Sequence, residues 1–247
     1  MNAPRDYVRA VQGVLKHLEQ TQLPAIEQAA DLVAQALTHA GVVYCSEIGH
    51  GIHGDFINRA GGLAAVQHFS FSLQVNEKVS DGLKDRPAAE VVDRDLETVR
   101  LAVRSSRLRA GDVMLVGSVS GRNRVPVELA LACRAKGVKV IGFTSLPYAS
   151  QVASLHPSGQ RLHETVDVTI DMGVPFGDAG VAVAGFDVKL LPLSGVAAAV
   201  AGWMLWGAVM EKMAAAGHPP TVFMSVNRPG GQAFYEKSVA EYNRRGY

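Results

Sequence analysis

The chain has 247 residues, of which 48% are hydrophobic and 19% charged, with a formal net charge of +1. This is globular composition, and the length suffices to bury a substantial core in one α/β domain. The near-neutral balance excludes the global positive field that recruits nucleic acid, so no nucleic-acid partner is expected.

The first segment, from Arg5 to Glu19, sets Tyr7, Val11, Val14, Leu15 and Leu18 on one helical face. Asp6, Glu19 and Glu27 interrupt the apolar residues here, so the segment lacks a signal-peptide core. Pro24 separates a second helix, with Ile26, Ala29, Ala30, Val33 and Leu37 inward, ending near Gly41. Val42 to Ser46 reads as a first buried strand. It runs into Glu47-Ile48-Gly49-His50-Gly51-Ile52-His53-Gly54-Asp55, after which a short helix is expected through Phe56, Ile57 and Ala60, ended by Gly61-Gly62. Ala65 to Phe71 is a shorter second strand, Gln74 to Ala89 a polar loop, and Val91 to Leu108 a helix carrying both signs of charge.

Val113 to Asn123 organises the chain. An apolar run breaks into Gly117-Ser118-Val119-Ser120-Gly121, and from Arg124 apolar residues recur at helical spacing. Asn123 is a good N-cap type, and Pro126 falls in the first turn, where its missing N–H costs no intrahelical bond. Free N–H groups at a helix N-terminus, with the hydroxyls of Ser118 and Ser120, make a small anion site. No Walker lysine is present, so a single phosphate suits the loop better than a nucleoside triphosphate. Gly137 ends the helix, and Val138 to Phe143 is the next buried strand, closed by Thr144-Ser145.

A short helix is expected over Tyr148 to His156 and a turn at Pro157-Ser158-Gly159. Val166 to Asp171 alternates apolar and polar residues, as an edge strand does. Gly173 to Leu193 is irregular, with valines spaced for a hairpin. Val196 to Ala216 is a long apolar helix broken at Gly217-His218-Pro219-Pro220, and Phe234 to Arg245 is amphipathic. The longest apolar region, Val196 to Met210, falls short of a comfortable membrane span, and no membrane partner is expected. Cys45 and Cys133 stand in apolar runs and read as small buried hydrophobes of a reduced, cytoplasmic compartment. Strands alternating with helices imply a three-layer α/β/α sandwich with a central, doubly wound parallel sheet, plus N- and C-terminal helices. We divide the single domain into a helical extension (1–40), an α/β core (41–193) and C-terminal helices (194–247). Ligands in such sheets bind beyond the carboxyl ends of the strands, where Glu47 to Asp55, Ser118 to Asn123 and Thr144-Ser145 lie.

Ser118-x-Ser120-Gly121-x-Asn123 after an apolar strand, with a following strand that ends in Thr144-Ser145, resembles a sugar isomerase (SIS) domain. The similarity is greatest to a subgroup associated with phosphosugar isomerisation. It is carried by Arg59-Ala60-Gly61-Gly62-Leu63, Gly121-Arg122-Asn123-x-Val125-Pro126-Val127-Glu128, His156-x-Ser158-Gly159-x-Arg161-Leu162, Gly177-Asp178-Ala179 and Phe223-Met224-Ser225. The resemblance implies a homodimer or larger assembly with sites near the subunit interface, and phosphosugar binding. The reaction stays open, because related domains isomerise, deaminate, cleave ethers or only sense. Phosphosugar contact is assigned to Gly49, Gly51, Ser118, Ser120, Gly121, Asn123, Thr144 and Ser145. The chain departs from the pattern in two places. The first loop begins with Glu47, and Gly51 follows His50 where relatives carry serine. The glutamate that commonly precedes a late helix in isomerising relatives corresponds to Lys189, if Ser194-Gly195 starts that helix.

An aldose–ketose isomerase needs a base to move a proton between adjacent carbons and an acid to serve the oxygens. Candidates for catalysis are His50, Glu47 and Asp55, with Lys189 able to stabilise an oxyanion, and His163 or Glu164 if their loop folds back. Each also has an ordinary reading as a turn or surface residue. Arg122 and Arg124 could add charge to the phosphate site, or simply begin an exposed helix. His50-x-x-His53 with Asp55 is a weak metal signature among eight histidines, and neither metal nor cofactor is assigned. Two alternatives remain. One is a non-catalytic phosphosugar sensor or binding subunit. The other, weaker, is a nicotinamide-dependent dehydrogenase using Gly49-x-Gly51-x-x-Gly54, which lacks the expected acidic residue at the end of the next strand.

Overall fold

The computed structural model describes residues 2–48, 50–87, 90 and 92–247. Seven α-helices are present among them: α1 (Ala3–Thr21), α2 (Leu23–Thr38), α3 (Arg94–Ser105), α4 (Arg124–Ala135), α5 (Leu146–Ala149), α6 (Ser194–Ala215) and α7 (Gly231–Arg245). Five strands pair in parallel: β1 (Val43–Cys45), β2 (Val66–His68), β3 (Val113–Gly117), β4 (Lys139–Thr144) and β5 (Val168–Asp171). Their order is β2-β1-β3-β4-β5, so the winding reverses between β1 and β3. β5 is at the edge, as its alternating pattern predicts. A separate antiparallel hairpin, β6 (Ala179–Ala182) with β7 (Lys189–Pro192), supplies the expected pairing of the later valine-rich stretch.

The period of two along β3 explains the three layers. Val113 and Leu115 face a core shared with α1, α2 and α6, which includes Leu18, Val33, Leu37 and Trp206. Met114 and Val116 face the opposite core, with Val99 and Val103 of α3 and Leu129 and Cys133 of α4. A strand apolar on both faces is what a parallel sheet covered on both sides requires. The start of β1 is stitched to that of β3 by Asp112, whose carboxylate accepts the N–H groups of Val42 and Arg109, both at 2.9 Å. Cys45 and Cys133 are buried free thiols, pushed up to about 12 by burial, with Lys136 acting slightly against it at Cys133.

Three local expectations change. The helix expected through Phe56, Ile57 and Ala60 is absent; a four-residue 3-10 turn occupies Ile52–Asp55 instead, and Phe56 points into the core. The helix expected over Tyr148 to His156 lies earlier and is one turn long, because the Ser145 and Leu146 carbonyls take the N–H groups of Ala149 and Ser150 and the chain then leaves helical geometry. α6 is longer than its most apolar stretch. By length and composition it is one helix able to cross a membrane, yet Ala197, Ala201, Leu205, Trp206 and Val209 are buried in the sheet-covering layer. Val91, the expected start of the third helix, and Ala89, the expected end of the polar loop, lie outside the described residues.

α6 reaches the first loop through Phe56. A Cβ on Gly202 would stand 2.1 Å from Phe56 Cζ, and the Phe56 ring is 1% exposed and edge-on to both Trp203 and Trp206. Gly202→Ala therefore overpacks a ring that has nowhere to go. It should lower stability by about 1–3 kcal/mol, read as a fall in the urea midpoint with an unchanged slope.

Candidate functional site

A cavity of about 790 Å³ opens at the carboxyl ends of β1, β2 and β3. Its floor is the β1/β3 reversal, the place where open parallel sheets bind ligands. One wall is the loop after β3 and the start of α4, with Ser118, Ser120, Asn123 and Val125. The opposite wall is Glu47, His50 and His53 from the loop after β1 and His68, Phe69 and Phe71 at the end of β2. Tyr148 of α5 and Asp178 complete the lining.

The β3 loop is held from below. Val119 carbonyl accepts the Ser145 N–H at 2.8 Å and the Thr144 hydroxyl at 3.3 Å. The Ser145 hydroxyl donates to Val174 carbonyl at 2.5 Å. Gly121 takes a φ of 65°, its N–H donates to Ser118 carbonyl at 3.0 Å, and a Cβ there would meet Thr144 Oγ1 at 3.1 Å. Glycine is thus required by backbone geometry and close packing at once. Asn123 is at the N-cap of α4, but its side chain makes no capping bond. Among the described residues, the N–H groups of Val119, Ser120, Asn123 and Arg124 find no acceptor in the chain. Ser118 lines the cavity as a residue and is 5% exposed; its hydroxyl oxygen is fully buried and has no hydrogen-bond partner. An unpartnered buried hydroxyl is costly, and this one is in the loop that walls the cavity.

On the facing wall, Gly117 N–H donates to Glu47 carbonyl at 3.3 Å, which brings Glu47 beside the end of β3. His50 is exposed and takes a φ of 50°, a left-handed conformation that side chains adopt at a cost of roughly 1–2 kcal/mol. The His53 ring stacks on that of His68, with centroids 4.8 Å apart and planes 22° apart. Ile48 N–H donates to His53 Nδ1 at 3.4 Å. Burial, and then the His68 imidazole, push the His53 pKa down against a smaller opposing pull from Glu47. Both effects favour the neutral imidazole of His53.

Of the residues assigned from the sequence, Glu47, His50, Ser118, Ser120 and Asn123 come together on this cavity. Thr144, Ser145 and Gly121 build the loop from beneath and do not line it. Gly51, with a φ of 89°, serves the turn, and Gly49 lies outside the described residues. Asp55 is turned away: its carboxylate accepts the Trp203 indole N–H at 3.1 Å and approaches Arg59 at 3.4 Å. Lys189 is exposed on β7 and does not reach the cavity. His163 and Glu164 lie on a 3-10 turn before β5, where Glu164 pairs with Arg161, so their loop does not fold back. Arg124 pairs with Asp93 rather than facing the cavity, and Arg122 is not part of the lining. The fingerprint from Gly49 to Gly54 leads into the 3-10 turn and not an α-helix, so it offers no helix N-terminus to a pyrophosphate. Among the described residues no group of three or more His, Cys, Asp or Glu could hold a metal ion.

His68, Tyr148 and Asp178 were not assigned from the sequence. Asp178 takes a φ of 52°, and its carboxylate accepts the N–H groups of Leu193 (3.2 Å) and Ser194 (2.9 Å) and the Ser194 hydroxyl (2.5 Å). It caps α6 across a hairpin, a relation that no local spacing announces. The signal available was Gly177-Asp178-Ala179, an acidic residue in a glycine turn.

This parallel α/β/α sandwich, with a hydroxyl-bearing loop at its winding reversal, has the architecture of sugar isomerase folds. Residues 6–145 match the profile of the SIS domain. The chain is 32% identical over 243 residues to the UPF0309 protein of Listeria innocua, covering 97% of this chain and 96% of the relative. It is 33% identical over 244 residues to the UPF0309 protein of Halalkalibacterium halodurans, covering 96% of each. In fold it is similar to a phosphoheptose isomerase from Francisella tularensis (14% identity, TM-score 0.53, 83% of this chain and 95% of that one). It is also similar to one from Neisseria gonorrhoeae (17% identity, TM-score 0.50, 83% and 93%). The chain belongs to the SIS domain family.

The site helix α4 is anchored behind the loop by Glu128. Arg100 donates to its carboxylate at 2.8 and 3.2 Å, and His156 Nε2–H donates at 2.8 Å while Ser158 N–H donates to Nδ1. Burial alone would push the Glu128 pKa up, but the bonds from Arg100 and His156 together hold it below the usual glutamate value. A depressed folded pKa gives stability that is present above the unfolded value and is lost as pH falls through the folded one. Glu128→Gln should lower stability at pH 7 by roughly 1.5–3 kcal/mol. Melting temperatures of variant and wild type should converge as pH drops below the ordinary glutamate range.

Proposed function

We propose that the cavity binds a sugar phosphate, with the phosphoryl group against Ser118, Ser120 and the N-terminus of α4. The observation that carries this reading is the run of unpaired N–H groups in the cavity-lining loop, together with the buried, partnerless hydroxyl of Ser118 in the same loop. Such donors at a helix N-terminus favour an anion, and the serine hydroxyl adds a bond stronger than one to a neutral group. The activity we infer is aldose–ketose isomerisation, or conversion of an amino-sugar phosphate, by general acid/base proton transfer. Glu47 and His50 face the phosphate wall from the other side, where the reacting carbons would lie. One group takes the proton from the carbon beside the carbonyl, and it returns to the neighbouring carbon. The strained backbone of His50 supports a functional role for that side chain. A non-catalytic phosphosugar sensor is the second reading, favoured by Lys189 standing exposed on β7 at the position where the resemblance to isomerising SIS domains implies a glutamate.

A homodimer or larger assembly fits the same reading. α6 is apolar on all sides, and Val196, Val200, Trp203 and Met204 remain only half-buried in one copy. Two buried free thiols fit the reduced cytoplasm.

Ser118→Ala removes no bond within the protein, so its stability should stay within about 0.5 kcal/mol of wild type. Its affinity for a phosphosugar should fall roughly tenfold or more. Ser120→Asp, which sets a negative charge where the phosphate sits, should abolish binding with the fold intact; unchanged affinity would remove the loop from the site.

A thermal-shift panel of sugar phosphates, amino-sugar phosphates, NADH and NADPH tests the ligand class, since a ligand of the folded state raises the melting temperature by mass action. At least one phosphosugar should raise it. A rise with the dinucleotides alone would overturn the reading, and binding without turnover would select the sensor.

A further inference from the structure

One stretch of the cavity lining is apolar. It is made by Val125, Pro126 and Leu129 of α4 and by Phe69 and Phe71 after β2. None of these side chains bears a hydrogen-bonding atom, and Ser70, between the two rings, adds a single hydroxyl. Sugar hydroxyls set against this surface would lose water without gaining partners. We propose that it is a subsite for an apolar substituent, an acyl or alkyl chain of a few carbons, carried by the sugar phosphate. This inference rests on the phosphosugar reading and adds to it the part of the ligand that is not sugar.

The subsite is continuous with the place given to the phosphoryl group. Asn123 stands at the N-cap of α4, and Val125 and Leu129 follow on the same helix. At about 1.5 Å of rise per residue they lie roughly 3 and 9 Å along its axis from the cap, within the length of a short chain attached near the phosphoryl group. Phe69 and Phe71 reach the same region, because both pack against the core cluster that includes Leu129. Their rings are held before any ligand arrives. Phe69 N–H donates to the Cys45 carbonyl at 3.0 Å, its ring meets Tyr44 edge-on with centroids 6.0 Å apart, and the Phe71 centroid stands 5.9 Å from it. A surface already fixed gains affinity because little is lost in ordering it. It is also open: Val125 is 36% exposed and Phe71 is half-buried, so an apolar chain would cover area that now meets water.

The probes are n-alkyl phosphates from methyl to hexyl, with inorganic phosphate as the parent, titrated by calorimetry into the full chain. Affinity should rise roughly two- to fourfold per methylene over the first few carbons. Val125→Ser and Phe71→Ala each remove apolar surface at a position that is not fully buried. In both, the rise should flatten while methyl phosphate binds as it does to the wild type. The wild-type series alone already decides, so the outcome does not hang on a variant folding. Wild-type affinity that is independent of chain length, or a rise kept in both variants, would overturn this inference while leaving the phosphosugar reading intact. No binding by inorganic phosphate or by any alkyl phosphate would overturn both.

Discussion

The carbonyl of Val119 is the point on which the site turns. It accepts both the Ser145 N–H and the Thr144 hydroxyl, so the end of β4 grips the loop that leaves β3. With that carbonyl taken up by the end of β4, the neighbouring N–H groups find no acceptor in the chain. The tight path needs Gly121 in the left-handed region above Thr144. From there the chain enters α4, whose far side is fixed by Glu128 to α3 and to the His156 loop. One wall of the cavity is thus rigid and carries donors. The other, made of loop residues after β1 and the end of β2, carries the groups that can exchange protons.

Long periodic segments were legible in the sequence. The inward face of α2, the doubly apolar β3 and the loop-to-α4 transition could be read because each burial pattern is local and repeats along the chain. Burial of Ile26, Ala29, Ala30, Val33 and Leu37 follows directly from 3.6-residue spacing. The turn after β1 misled, because Phe56 looked like the apolar face of a helix. It is in fact a single anchor, inserted against Gly202 from a helix 146 residues later. Thr144 and Ser145 were correctly placed at a strand end, but whether a hydroxyl faces a ligand or a neighbouring carbonyl depends on which loop lies above it. Asp178 and His68 were missed for the same reason: their meaning comes from elements that are distant in the chain.

The chain shares this frame with the phosphoheptose isomerases it resembles in fold. On it Glu47 opens the first loop, Lys189 is exposed on the hairpin, and Asp178 caps the start of the late helix from the hairpin side. A fold of this kind sets where charge can be placed, beyond the strand ends at the winding reversal, and leaves the choice of charge to loops.

The apolar circumference of α6 also bears on the order in which the molecule can form. α1 and α2 are made first, yet their inward faces are covered largely by α6, which begins at Ser194. During synthesis, β3, α4 and β4 can assemble from neighbouring sequence, whereas the layer on the other face must wait for a helix more than 150 residues downstream. Contacts so far apart close slowly, and until they do the apolar stripes of α1 and α2 stand open to other chains. The same helix that seals the sheet therefore marks the interval during which the nascent protein is most exposed to aggregation.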